Sequence, residues 1–184
     1  MAIRYGISQE MLHLGIRIVN QNFNSMKKII NPFLDGNNGN CFGCSPHNSK
    51  GLKMDFFEDE EYIISEWEPQ SHLSGFKNVL HGGIQATIMD EIASWVVFVK
   101  CKTSGVTTEL NAKYRGAILT DHGKITVKAK LISQDKRFAK IHTEILDHNG
   151  NIGSNAEITY MIFPQEMAIK KFEYPGVEAF YESE

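Results

Sequence analysis

The sequence predicts an α+β fold: one long, mostly apolar helix enclosed by an antiparallel sheet of about five to six strands, with an extra N-terminal helix. Three observations carry this. From about Gly82 to Lys100 the chain reads GGIQATIMDEIASWVVFVK, and Ile84, Ile88, Met89, Ile92, Trp95, Val96 and Phe98 point in nearly all directions around a helix. Two alternating segments precede this stretch and four follow it, most of them joined by short turns. A helix apolar on almost every side must be buried, and a twisted sheet can curl around it to do so.

The elements follow in order. Over residues 1 to about 31, Leu12, Ile16, Val19, Phe23, Met26 and Ile30 alternate four and three apart, the stripe of a docked helix. Ser8 is its N-cap and Asn31-Pro32 its stop. LDGNNGNCFGCSPHNSKG is a Gly- and Asn-rich entry loop. LKMDFFED and YIISEWEP are strands around an acidic turn, and HLSGFKNVL leads into the long helix. VTTELNAKYRGA and KITVKAKLIS come next, the latter with Ile125, Val127, Ala129 and Leu131 on one face and lysines on the other. RFAKIHTEIL turns at Asn149-Gly150 into IGSNAEITYMIF. The chain divides into an extension and linker over 1–40, a main domain over 41–164, and a peripheral tail over 165–184.

A chain of 184 residues that is 42% hydrophobic and 22% charged suits one globular domain. A formal net charge of −3 gives no support to general nucleic-acid binding. No stretch is long and apolar enough to span a bilayer, and Glu10, His13 and Arg17 interrupt any signal-peptide run, so the expected location is cytoplasmic. Cys41, Cys44 and Cys101 are too few for a disulfide scaffold. Cys41-Phe-Gly-Cys44 lacks a second ligand pair at zinc spacing, so packed or loop-stabilising thiols are expected and no metal.

Chemistry concentrates in NVLHGGIQATIMDE, residues 78–91, where two acids interrupt an apolar helix. The first N–H groups of a helix have no internal partner and lie at the positive end of its dipole. Glycine there admits a close ligand atom, so Gly82 is the first candidate to donate to a carbonyl oxygen and to the oxyanion formed from it. Asp90 lies eight residues on, a little over two turns, and could activate water or attack an acyl carbon. Glu91 points about 100° away, toward solvent or a basic partner. Structural readings compete: a tight loop-to-helix turn for Gly82-Gly83, capping for His81, an ion pair for Asp90.

HGGIQATIMDE, followed by TTELNAKYRGAI, resembles the hotdog-fold acyl-CoA thioesterases, in particular the phenylacetate-pathway branch, whose pattern is His-Gly-Gly with an acid nine positions after the histidine. The resemblance runs from about Cys41 to Phe163, since CFGCSPHNSKGLKM is similar to the entry segment of some members. It implies that Gly82 donates to the thioester carbonyl, that Asp90 is base or nucleophile, and that His81 shapes the site. It also implies a threonine early in the next strand: Thr107 matches best, although parity with Leu110, Ala112 and Tyr114 favours Thr108 as inward-facing. Gly83 and Asn78 fall with the substrate-binding residues, and Lys113 and Arg115 with the coenzyme A phosphates. Homodimers or homotetramers with interface sites are implied, with coenzyme A as part of the substrate and no separate cofactor. One departure is Gly75, where several members carry a polar residue that holds the nucleophilic water. That departure motivates an alternative, a non-catalytic acyl-CoA-binding protein; a hydroxyacyl thioester dehydratase is a third reading.

Overall fold

The computed structural model describes residues 26–34 and 39–182. A seven-stranded antiparallel sheet wraps one long helix. In chain order the elements are β1 (Lys27–Ile29), β2 (Phe56–Asp59), β3 (Tyr62–Trp67), the short pair β4 (Ser74–Phe76) and β5 (Val79–Leu80), and then helix α1 (Gly82–Val99). The strands β6 (Gly105–Tyr114), β7 (Ile125–Gln134), β8 (Phe138–Leu146) and β9 (Ile152–Ile162) follow, and then helix α2 (Gln165–Phe172). The main sheet runs β1-β2-β3-β7-β8-β9-β6, while β4 and β5 pair separately. No helix among the described residues is long and apolar enough to cross a membrane.

The α1 bounds agree with the sequence pattern, and its burial explains the pattern. Ile88, Met89, Ile92, Ala93, Trp95, Val96 and Val97 are all buried against the concave face of the sheet. That face is the inward set of each strand: Ile125, Val127 and Ala129 of β7, Ala139 and Ile141 of β8, and Ala156, Ile158 and Tyr160 of β9. The β8–β9 connection is built on Asp147, whose carboxylate accepts from the backbone N–H groups of Asn149 and Asn151, with Gly150 at φ 82°.

Two expectations are corrected. The helix expected to run to about residue 31 does not include Lys27–Ile29, which form β1 and pair antiparallel with β2. The bare edge of β2 offers backbone partners there, and Ile29 sinks into the core as a strand residue. This strand is the seventh, one beyond the expected number. The rest of the expected helix lies outside the described residues.

The stretch from Pro164 is not peripheral. Tyr174 and Phe180 are fully buried. With Phe33, Trp95 and Phe98 they form an aromatic cluster whose rings meet Phe180 at centroid distances of 5.7 to 6.0 Å. Tyr174 donates its hydroxyl hydrogen to the Phe98 carbonyl at 2.9 Å, and the N–H of Ile30 donates to the Phe180 carbonyl at 2.9 Å. The tail closes the open end of the barrel-like wrap above the last turn of α1. Sequence periodicity misses this because Tyr174 and Phe180, isolated aromatics on either side of Pro175-Gly176, have no repeat to reveal them.

If the cluster is core, Phe180→Ala lowers the unfolding free energy by about 3–5 kcal/mol, the usual cost of deleting a buried aromatic. Urea denaturation followed by tryptophan fluorescence measures this, and a change under about 0.5 kcal/mol would mean a dispensable tail.

Candidate active site

The site begins where β5 hands over to α1. His81 is the N-cap residue, and its Nδ1 accepts from the N–H of Gly83 at 2.9 Å. A Cβ on residue 83 would lie 3.1 Å from that Nδ1, so glycine lets the ring fold back over the helix start. The cap uses the Gly83 N–H, whereas the N–H of Gly82 has no acceptor among the described residues. Around Gly82 the chain is open: a Cβ would only reach ordinary contact with the Tyr114 ring, at 3.5 Å. The Tyr114 hydroxyl donates to the Gly82 carbonyl at 2.8 Å and fixes the peptide on the other side.

Gly75 packs flat against the cap. A Cβ there would sit 3.0 Å from His81 Cδ2, so a larger residue at this position would require the ring that caps α1 to give by a few tenths of an ångström.

Asp90 is half-buried on α1, and its carboxylate is held by two hydroxyls. Thr107 donates to Oδ1 at 2.7 Å and Tyr160 donates to the same atom at 2.9 Å. Tyr160 also reaches the Asp90 backbone carbonyl at 2.9 Å. The two hydroxyl residues face each other across β6 and β9 in the ladder. Burial first, and the Asp90 charge second, push the Tyr160 hydroxyl well above the ordinary tyrosine range, so it stays a donor.

The choice between Thr107 and Thr108 is decided by a bulge. Thr107 pairs with Tyr160 and Glu109 with the adjacent Thr159, so Thr108 is the extra residue in β6. Counting inward from Leu110 and Ala112 therefore breaks at Thr108. Its hydroxyl is spent on the Thr159 carbonyl at 3.0 Å.

The remaining site residues are dispersed. Asn78 sits in the β4–β5 turn at φ 59° and donates to Asp121 rather than toward Asp90. Lys113 alternates with Tyr114 and so projects from the opposite face of β6. Arg115 follows β6, exposed, with its Nε hydrogen bonded to Asn155 Oδ1 at 3.3 Å.

Tyr160 was missed because it lies within the apolar alternation of Ala156, Ile158 and Ile162. The available signal was a hydroxyl on an inward position opposite Thr107.

Glu91 is partly exposed and meets no basic partner among the described residues. Cys41 Sγ lies 3.5 and 3.7 Å from its two oxygens, and Trp95 Nε1 donates to Oε1 at 3.1 Å. Burial, with the charge of Cys41 adding to it, pushes Glu91 up to about 7. The Cys41 thiol is the acidic one of its pair, because Cys44 donates to it and the N–H groups of Cys44 and Gly43 add to this against burial. Cys44 is pushed up in turn.

The thioesterase superfamily model matches residues 77–154, the span from the β4–β5 turn into β9. Over that span the chain is similar to that superfamily. Its architecture is the hotdog fold, a long helix in the curl of an antiparallel sheet. An uncharacterised protein of Schizosaccharomyces pombe is 33% identical over 87 residues, covering 46% of this chain and 49% of the relative, so the match spans about half of that relative's length. A protein of Saccharolobus solfataricus named as a candidate esterase is 26% identical over 117 residues, 63% of this chain and 76% of its own. A hypothetical thioesterase of Streptococcus pneumoniae, solved with coenzyme A, superposes with a TM-score of 0.56 at 19% identity, covering 61% of this chain and 87% of its own.

The capping geometry carries its own test. His81→Ala should cost about 0.5–2 kcal/mol of stability, as loss of an N-cap does. Thermal denaturation measures it; an unchanged midpoint would leave the ring without a structural part to play.

Proposed function

We propose that the protein is an acyl-CoA thioesterase of the phenylacetate-pathway type, using water to cleave the thioester into a free acid and coenzyme A. The observation that carries this reading is Asp90, a carboxylate on a buried helix held by Thr107 and Tyr160, in a chain whose helix start leaves the Gly82 N–H without an acceptor. A structural ion pair would need a cation beside Asp90, and the described residues supply two hydroxyls instead.

The reaction needs a donor at the carbonyl oxygen and a base or nucleophile at the carbonyl carbon. As base, Asp90 takes a proton from water as the water oxygen attacks; the oxyanion rests on the Gly82 N–H, and its collapse expels the coenzyme A sulfur, which takes up the proton. As nucleophile, Asp90 attacks the carbonyl carbon, the oxyanion collapses with cleavage of the C–S bond, and coenzyme A leaves as a thiolate that is protonated by water. Hydroxide or water then cleaves the mixed anhydride to release the acid and restore the Asp90 carboxylate. Both routes need the Asp90 carboxylate aimed at the reacting centre, which is the work of the two hydroxyls.

At about 1.5 Å rise per residue, the eight-residue step from Gly82 to Asp90 spans about 12 Å. One carbonyl cannot meet both groups of the same chain. We therefore read the working site as composite, Gly82 from one copy and Asp90 from another, in a homodimer or a larger even assembly. The outer edge of β6 supports this: it is unpaired among the described residues, and Val106 and Tyr114 stand 41% and 53% exposed along it. Arg115, next to the Tyr114 that touches Gly82, is the cation suited to a coenzyme A phosphate. The coenzyme A bound by the Streptococcus pneumoniae relative favours that ligand class.

Thiol release from short, long and aromatic acyl-CoAs tests the reading. Wild type should turn over at least one of them, and Asp90→Asn should lower the rate by about 10²–10⁴. Tyr160→Phe and Thr107→Val each remove one hydrogen bond to a charged group, an effect of about 10- to 100-fold on kcat. Binding of acyl-CoA without turnover by any variant would overturn hydrolysis in favour of a binding protein.

A further inference from the structure

The entry loop and α1 build a second cluster of reactive groups, facing away from the hydroxyls that hold Asp90. Cys41, Cys44 and Glu91 each offer one ligand atom, all within 4.8 Å of one another. The loop lies close against the carboxylate: a Cβ at Gly43 would lie 2.2 Å from Glu91 Oε2, so a larger residue there would push the Glu91 side chain aside. We propose that Cys41, Cys44 and Glu91 bind one thiophilic divalent cation of the zinc class, with its fourth position opening into the adjoining cavity. This site does not rest on the thioesterase reading and uses none of its groups.

The dimensions fit such an ion. With Zn–S of about 2.3 Å and Zn–O of about 2.0–2.2 Å, a tetrahedral site has a sulfur-to-oxygen edge of about 3.5 Å. Cys41 Sγ lies 3.5 and 3.7 Å from the Glu91 oxygens. Two sulfurs and one carboxylate make a donor set that prefers zinc over magnesium or calcium, and three protein ligands leave a position for a small donor.

The outer partners are also those of a metal site. Trp95 Nε1 donates to Glu91 Oε1 at 3.1 Å, and Asn31 Nδ2 donates to Cys44 Sγ at 3.5 Å. Each fixes a ligand atom without competing for the ion. No Lys, Arg or His lines the cavity of about 410 Å³ that the cluster borders, so a cation is what the negative groups lack among the described residues. Its wall also includes Phe33, Trp95 and Phe98, which would shelter the ion's open side.

The test is a titration of reduced, metal-free full-length protein with Co²⁺ or Cd²⁺, following thiolate-to-metal charge-transfer absorption. The site predicts a band that saturates at one equivalent and is displaced by Zn²⁺. Cys41→Ser and Cys44→Ser should each weaken binding by more than about tenfold, since even outer-shell partners are worth about 10–100-fold in affinity. Glu91→Gln should weaken binding similarly while keeping a thiolate band, and Cys101→Ser should change nothing. Absence of a band in the wild type, with its thiols titrating as free, would overturn the proposal without any variant. So would a band that survives the loss of both Cys41 and Cys44 or vanishes with Cys101.

Discussion

A helix buried on almost every side leaves an ionisable side chain on it one way to exist: the elements wrapped around it must bring partners. Water solvates such a half-buried group only in part, and an unpaired charge withdrawn from water is costly. Both acids of α1 obey this constraint, in different ways. Asp90 meets hydroxyls from two neighbouring strands, and Glu91 meets thiols from the entry loop and the indole N–H of Trp95. The sheet and the loop thus act as solvent for the helix, and the choice of solvent atoms sets what each acid can do.

The same constraint explains why the two acids, adjacent in sequence, face different surroundings. A step of about 100° on a helix is enough to pass from the β6–β9 side to the loop side. On one side the partners are neutral donors that direct a carboxylate. On the other, burial first and then the charge of Cys41 raise the proton affinity of the carboxylate. Glycine recurs at the tight points of both, at residue 75 against His81 and at residue 43 against Glu91.

Much of this was legible in the sequence. The length and apolarity of α1, the alternation of β7 and β9, and the spacing of His81, Gly82 and Asp90 are local signals, written within one element each. What escaped depends on contacts between elements. The bulge at Thr108 shifts the inward register of β6, and no count along a single strand reveals it. Tyr160 looks like one more large residue on an apolar face until its ladder partner is known. β1 reads as helix because Lys27–Ile29 fall between Met26 and Ile30, two positions of an amphipathic stripe, and the free edge of β2 overrides that propensity. Glu91 needed a partner that lies 50 positions away in the chain.

The junction of Ile30 with Phe180 carries a further implication, for the order in which the molecule can assemble. Two segments separated by almost the full sheet must meet before the aromatic cluster exists, and contacts of such sequence separation form late and slowly. During synthesis, β2 through β9 can collapse around α1 while Trp95 and Phe98 still lack their cover. Until Phe180 has been made, the nascent chain presents an apolar surface at the end of its central helix. That interval is when the protein is most exposed to aggregation, and a helper that shields aromatic surface would act there.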